Sequence, residues 1–281
     1  MNFRLYIPLI LCVFFSLSVQ AQSLADSLAI VHARWNTKEL QKGLTFRHAR
    51  FDCLYDVPQN IVIYEINPKK YKFTICNHHG MVATSQMAEL NHAVVAINGS
   101  FYNMQNGETV CFLQEEGTIV GMTTSKKANP ETGVSTTNVT GAVEIKKGKI
   151  KILPWDPDSE TSYAKKHTSV LASGPLLRLK DKDRSLARSS RSFVTTKHPR
   201  SVIARTADGK ILLIVVDGRR KGIAEGINLP ELTHFTRIMG CTDVLNLDGG
   251  GSSTLWDTYQ GITNMPSGNR ERNVANSIFI Q

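Results

Sequence analysis

Two carboxylates, one amide and a set of guanidiniums carry the chemistry of this sequence. Residues 244–247 form a short apolar run, and it stops at Asp248. Gly249, Gly250 and Gly251 follow, then the hydroxyls of Ser252, Ser253 and Thr254. Glycines in series let the backbone turn sharply and leave its N–H groups uncovered, so an anion can come close. An acid at a strand end beside such a nest is where a phosphorylated or glycosidic substrate could sit. Two other apolar runs end in the same way, residues 93–97 before Asn98-Gly99 and residues 211–216 before Asp217-Gly218. Turn formation alone accounts for one Asx–Gly step. Three of them, at the ends of the three most apolar runs, point to one crevice.

Basic residues stand close to each of these steps. His198-Pro199-Arg200 precedes one strand, Arg219 and Arg220 follow another, and Arg270-Glu271-Arg272 precedes the last. Carboxylates beside guanidiniums suit a substrate that is a phosphate on one side and a sugar on the other. Asp217, Asp248 and Asn98 are also oxygen ligands that a hard cation accepts. The residue set leaves that open, and no cofactor or metal is expected.

The elements that position these residues read as mostly β. Residues 61–66 and 71–76 flank Asn67-Pro68-Lys69-Lys70, an expected hairpin. His78-His79 reads as surface at a strand exit. Residues 84–92 suggest a short helix capped by Thr84 or Ser85. Residues 93–97, apolar on both faces, suggest a central strand. Hairpins are expected around Lys147-Gly148 and around residues 206–210. Residues 170–173 and 176–179 read as strands broken by Gly174-Pro175. Residues 180–197, basic and serine-rich, read as a solvated loop or as a basic flap over an anion. Residues 229–239 read as a helix with Pro230 in its first turn and Gly240 at its end. It joins residues 211–216 to residues 243–247 as one crossover unit, which puts Asp217 and Asp248 at the same sheet edge. The fold class expected is α+β: one domain with a large mixed β-sheet, several hairpins and few helices.

Length and composition bound the setting. The 281 residues suffice for a sizeable core. Residues 1–21 resemble a secretory leader, with Arg4 in the n-region, an apolar stretch, and a small-residue cleavage site ending at Ala21. Residues 22–42 form a polar, helix-prone arm, and residues 43–281 the domain proper. Export to the periplasm, cell envelope or extracellular space is therefore expected, with no membrane span after cleavage. Cys53, Cys76, Cys111 and Cys241 remain, and free thiols and disulfides are both open. The net charge of +9, which becomes +8 without Arg4, suits an anionic partner. Nucleic acid is disfavoured by export and by the lack of a binding motif.

In these stretches the chain resembles the phosphodiester glycosidase family. The pieces that carry the resemblance are NGSFY at 98–102, SGPLL at 173–177, HPRSVIA at 198–204, VVDGR at 215–219, LNLDGGGSSTLW at 245–256, NMPSG at 264–268 and ERNVANSI at 271–278. The likeness covers about residues 43–281, in the family's order. Two departures are mild. Ser100 and Tyr102 stand where the family usually has Gly and Phe, and Ser201 stands where it has Thr.

The resemblance implies hydrolysis of a sugar 1-phosphodiester, freeing the sugar and leaving a phosphomonoester. On that reading Arg200 and Arg219 bind the phosphate, with the N–H groups of Gly249, Gly250 and Gly251 and the Ser252 hydroxyl in support and Ser253 beside them. Asp248 is the first choice for base or nucleophile and Asp217 the second. Asn98, with Gly99 and Phe101, would hold a sugar hydroxyl or acetamido group. His198 lies near the phosphate, and Arg272 orients Asp248 or closes the site. Two competitors stand beside this reading. A nucleophilic serine hydrolase would use Ser252 or Ser253, but no G-x-S-x-G elbow is present. A non-catalytic envelope module would bind a phosphorylated glycan without turning it over.

Overall fold

The run Ile211–Val216 is buried at every position because both faces of the sheet it centres are covered. Side chains alternate along a strand. Accordingly Ile211, Leu213 and Val215 enter one core, while Leu212, Ile214 and Val216 enter another. The computed structural model describes residues 24–124, 126–128, 135–163 and 166–281. The leader-like segment 1–21, with Arg4, lies outside the described residues.

Eight strands form the main sheet, in the order Asn36–Gln41, Leu44–Leu54, Val57–Ile66, Ile211–Val216, Arg200–Thr206, Cys241–Asn246, Leu176–Leu179 and Lys182–Asp183. One of its faces packs on two five-stranded sheets. The first is built on Gly141–Lys146, Lys149–Pro154 and Ser169–Ser173, and the second on Phe73–Ala83, Val95–Asn98, Leu255–Asp257 and Asn273–Ile280. Their apolar residues, such as Val143, Leu171, Ile97 and Ile278, complete the first core. On the other face lie a helical turn sequence at residues 24–31 and the helix Leu229–Ile238. Among the described residues no helix is long and apolar enough to cross a membrane.

The helix Leu229–Ile238 starts and stops where its sequence says. Asn228 and Glu231 form a reciprocal capping box, Pro230 sits in the first turn, and Gly240 takes φ +78° just beyond the end. Leu229, Leu232 and Phe235 are buried on one stripe. The helix carries the chain from Ile211–Val216 to Cys241–Asn246. Both strands pair antiparallel with Arg200–Thr206, one on each side, so they run parallel to each other with that strand between them. The expected crossover is therefore present in split form, and Asp217 and Asp248 leave the sheet at one edge. Pairing between neighbouring strands is antiparallel in all four sheets of the described residues. The parallel relation that a mixed sheet implied survives only across the inserted strand.

Several local expectations hold. The hairpins at Lys147-Gly148 and at residues 206–210 are present, and Val95–Asn98 is the middle strand of its sheet. His78 and His79 are exposed, within the strand Phe73–Ala83 rather than at its exit. Others give way. The hairpin expected between residues 61–66 and 71–76 does not form, because Val57–Ile66 already pairs with Leu44–Leu54 on one edge and Ile211–Val216 on the other. The chain after Asn67 crosses instead to the second sheet, where Phe73–Ala83 pairs with Asn273–Ile280. The helix Thr84–Leu90 has no side-chain cap from Thr84 or Ser85. Glu271 accepts the Ser85 N–H at 2.9 Å instead. Residues 36–41 of the expected arm form the first strand of the main sheet. In the basic segment 180–197, Arg191–Thr195 forms a short helix whose Phe193 packs inward. The four cysteines among the described residues are free thiols, Cys111 and Cys241 buried and Cys53 exposed.

Phe235 has no exposed surface and anchors the helix that links the two acid-bearing strands. Phe235→Ala should lower the unfolding free energy by about 3–5 kcal/mol in a urea titration. A loss below about 1 kcal/mol would show that this face is not closed by the helix.

Candidate active site

Asn98 joins the separate strand ends. Its side chain is fully buried. The amide nitrogen donates to the Asp248 carbonyl at 2.7 Å, and its oxygen accepts from the Ser201 hydroxyl at 2.7 Å and from the Thr254 N–H at 3.1 Å. The Asp248 N–H in turn donates to the Gly99 carbonyl at 2.9 Å. Three of the recognised stretches thus meet on one amide. The role expected for Asn98, holding a sugar group, gives way to a positioning role because its hydrogen-bonding atoms already have internal partners. Gly99 is required for the same closeness, since a Cβ there would collide with the Asn276 side-chain oxygen.

Asp217 is also turned inward. It accepts from Asn60 Nδ2 at 2.6 Å, from Asn264 Nδ2 at 2.9 Å and from the Met265 N–H at 3.0 Å. Burial pushes its carboxyl above the usual range, and these three donors pull it back. Asp217 therefore braces the loop at residues 264–268 against the strand end. Its expected place as a second base is corrected, because a carboxylate with three fixed donors and almost no exposure has little room for substrate.

Arg200 departs from expectation in the same way. Its Nε donates to the Ile227 carbonyl at 3.1 Å, and its Nη2 donates to the carbonyls of Phe193 and Thr196 at 3.0 and 3.1 Å. The guanidinium lies 5.0 Å from the Phe193 ring centre. Burial, with Arg219 nearby, lowers its pKa to about 10. Arg200 adds positive potential to the site but is directed to carbonyls, not to a phosphate. Phe101 stacks edge-on to Phe193 at 6.2 Å, so it shapes this wall and is only half-buried. His198 holds an unpartnered, buried Nδ1, and burial together with Arg200 and Arg219 depresses its pKa.

What faces solvent is a cleft of about 800 Å³ lined by Tyr102, Arg219, Gly251, Ser267, Glu271 and Arg272 among others. Arg219 takes φ +62°, and its guanidinium lies over Gly250. A Cβ on Gly250 would come within 2.8 Å of Arg219 Nη2, and one on Gly251 would collide with the Arg272 guanidinium. Glycine is needed at both positions for the two cations to approach the backbone. The anion nest is corrected accordingly: the Gly249 N–H donates to Asp248 Oδ1 and the Gly250 N–H to the Pro199 carbonyl, both at 2.9 Å. Among the described residues neither Arg219 nor Arg272 forms a salt bridge, and Arg272 Nη1 lies 3.6 Å from Met104 Sδ.

Asp248 sits beneath these cations, with part of its surface open. Burial raises its pKa to about 6, while Ser252, the Gly249 N–H, Arg272 and Arg219 favour the ionised form. Ser252 Oγ is buried against Asp248 and Tyr102 without a fully formed hydrogen bond to either. Among the described residues no histidine hydrogen-bonds Ser252, so the serine–histidine pair of a serine hydrolase is not formed. Ser253 is buried with its hydroxyl unpartnered. The three-oxygen set considered for a cation is not assembled, because Asn98 and Asp217 have internal donors. Among the described residues no trio of His, Cys, Asp or Glu gathers as ligands.

Sequence reasoning missed Asn60, Tyr102 and Asn264. Asn264 and Tyr102 lie inside recognised stretches and could have been marked. Asn60 lies in none and carries no signal of its own.

Comparison with known proteins gives the family and the fold. A phosphodiester glycosidase family model matches residues 91–281. The SPbeta prophage-derived uncharacterized protein YomE of Bacillus subtilis is 27% identical over 216 residues, which is 76% of this chain and 31% of that protein. Mouse N-acetylglucosamine-1-phosphodiester alpha-N-acetylglucosaminidase is 33% identical over 63 residues, 22% of this chain and 12% of that protein. The chain therefore matches less than a third of the length of either curated relative.

Two solved structures share the fold. The catalytic domain of the zebrafish N-acetylglucosamine-1-phosphodiester alpha-N-acetylglucosaminidase, auto-inhibited by its pro-peptide, superposes with a TM-score of 0.66 at 16% identity, covering 84% of this chain and 82% of that one. A hypothetical protein from Synechocystis gives 0.65 at 15% identity, covering 88% and 63%. The family match takes in every stretch from NGSFY to ERNVANSI and all the residues around the cleft except Asn60 and Met81, and on that ground the chain belongs to the phosphodiester glycosidase family.

Proposed function

We propose that this protein is an exported glycosidase that hydrolyses a sugar 1-phosphodiester of the N-acetylglucosamine-1-phosphodiester kind. The observation that carries the proposal is the pair of guanidiniums, Arg219 and Arg272, lying over Gly250 and Gly251 without carboxylate partners beside Asp248. Family membership and the names of the mouse and zebrafish relatives support the choice of substrate class. The leader-like residues 1–21 support export.

In the reaction a water oxygen bonds to the anomeric carbon and the bond from that carbon to the phosphate oxygen breaks. The bonding pair leaves with the phosphate, which gains a second negative charge. Two guanidiniums at that point complement charge that grows only as the bond breaks, which is how a site lowers a barrier. A phosphomonoester is a good leaving group, so strong general-acid help is less needed than for a sugar–alcohol bond. Asp248 either takes the proton that the attacking water loses, or bonds to the anomeric carbon as the phosphate leaves and is then displaced by the water. Its pKa of about 6 gives a base near the strength that suits neutral operation. Asn98, Asp217 and Arg200 hold the loops that carry these groups.

The direct test is a panel of sugar 1-phosphodiesters with detection of both products. Release of the sugar and the phosphomonoester is expected, whereas affinity without turnover would mark a glycan-binding module instead.

Asp248→Asn should lower kcat by on the order of 10³ or more, and wild-type activity should fall as pH drops through about 6. The folded carboxyl binds its proton more tightly than the unfolded one, so its contribution to stability is full at about pH 4 and lost as pH rises through about 6. Asp248→Asn should accordingly melt no lower than wild type at neutral pH, and the difference should close in acid. An active Asp248→Asn protein would remove this residue from the mechanism.

Arg219→Ala and Arg272→Ala should each reduce kcat/KM by roughly 10²–10³ with little change in melting temperature. Unchanged kinetics in both variants would place the phosphate elsewhere.

A further inference from the structure

The excess positive charge of the chain is concentrated far from the cleft. A groove of about 930 Å³ is formed by the crossover at residues 67–72, the turn Lys147-Gly148 with the strand after it, and the turn at residues 206–210. Eight lysines and arginines line it against one carboxylate, Asp208, in a chain whose total excess is +9. Lys210 is paired with Glu65 and Asp208. Lys69, Lys72, Lys147, Lys151 and Arg205 are exposed, and among the described residues none of these five forms a salt bridge.

The stems of two of the groove's lysines, Lys72 and Lys70, run along backbone glycines. The stem of Lys72 crosses Gly148 so closely that a Cβ there would come within 2.8 Å of its Cγ. The Phe73 N–H donates to the Gly148 carbonyl at 3.0 Å and pins the crossover to the hairpin. Lys70 lies across Gly43 in the same manner, its Cδ 2.9 Å from where a Cβ would be. The turn at residues 206–210 and Asp217 stand at opposite ends of Ile211–Val216. Six strand residues separate them by about 20 Å, so one small substrate cannot occupy both places.

The surroundings narrow the occupant. Tyr71 is buried, so the groove offers no stacking platform for unpaired bases. The large apolar side chains that are exposed, such as Leu24, Leu90 and Ile223, lie outside the lining, so nothing there would insert between lipids. Cations ringing a floor in which Tyr71 and Ile150 are buried suit a hydrophilic chain with regularly spaced negative charges. We infer that this groove is a second binding site that takes an anionic polymer with a phosphodiester in each sugar repeat. The choice of polymer rests on the reading of the cleft as a sugar-phosphodiester site. Contact at two points would raise the local concentration of the scissile bonds at the cleft.

The test is calorimetric titration of the full chain with a polymer of N-acetylhexosamine 1-phosphate repeats over a salt series. Phosphatidylglycerol vesicles and single-stranded DNA serve as rival probes. The variant carries Lys72→Glu, Lys147→Glu and Lys151→Glu, with the same three positions changed to Gln as a milder form should the first misfold. Polymer affinity is expected to fall by roughly 10²-fold and the salt dependence to shallow by about three charges, as lost phosphate contacts require. Turnover of a monomeric sugar phosphodiester should stay unchanged. A folded variant that binds the polymer within about twofold of wild type overturns the inference, since lost contacts must weaken it. Stronger groove-dependent binding of vesicles or DNA than of polymer overturns it too. Binding is read without turnover, so an inactive cleft would defeat the proposed function and leave this result standing.

Discussion

A buried amide sets the geometry of this site. Asn98 has no exposed surface, and its side chain ties the backbone of Asp248, the hydroxyl of Ser201 and the N–H of Thr254 into one cluster. These groups come from the second five-stranded sheet, the main sheet and the glycine-rich turn. A polar side chain removed from water must find partners or destabilise the fold, and an amide that finds them on two segments besides its own strand fixes the spacing of all three. The position of Asp248 relative to both sheets follows from that constraint. Neither sheet could set it alone.

Two ionisable groups extend the frame. Asp217 holds Asn60 and the loop at residues 264–268, and Arg200 holds the carbonyls of Phe193, Thr196 and Ile227. Each is a charge or potential charge inside the protein without a salt-bridge partner among the described residues. Such groups are tolerated where hydrogen bonds replace hydration. Their geometry suits bracing: three fixed donors around a carboxylate and three fixed acceptors around a guanidinium leave each loop one position. The walls of the cleft are consequently set by the buried members of the recognised stretches, and its chemistry by the exposed ones.

How far the sequence reveals this depends on whether a signal is local. The apolar run at residues 211–216 shows a strand covered on both faces, and the spacing to residues 243–247 places Asp217 and Asp248 at one edge. Both features are internal to one strand–helix–strand unit. The false hairpin at residues 67–70 has an equally good local signal, but pairing is decided by whether an edge is free. Strands from distant parts of the chain, Leu44–Leu54 and Ile211–Val216, take both edges first. The same limit applies to the site. Residue types and their convergence are legible, but direction is not. Arg200 and Arg219 look equivalent in sequence, and only the carbonyls around one and the φ of +62° at the other make the first a brace and the second a wall of the cleft. Arg272, read as a gate or an orienting group, takes the place beside Arg219 that Arg200 was expected to fill.

The glycines explain why the two outward guanidiniums remain without partners. A folded protein ordinarily pairs its cations or solvates them fully, and here Arg219 and Arg272 press against Gly250 and Gly251 with Arg200 and His198 behind them. Burial lowers the affinity of Arg200 and His198 for their protons, and the neighbouring arginines lower it further. Opposing these cations, Asp248 is one acid within reach, and burial raises its own pKa to about 6. Glu271 also lines the cleft but is engaged with the Ser85 N–H, and against these two acids stand Arg219, Arg270 and Arg272 with Arg200 behind, so the cleft carries net positive potential. An entering phosphodiester brings one negative charge and a departing phosphomonoester brings two. On the proposed reaction this potential would favour the state in which the bond is broken over the state in which it is intact, and differential binding of that kind is what separates catalysis from adhesion. The frame built on Asn98, Asp217 and Arg200 fixes the backbone of the strand ends and loops around these cations.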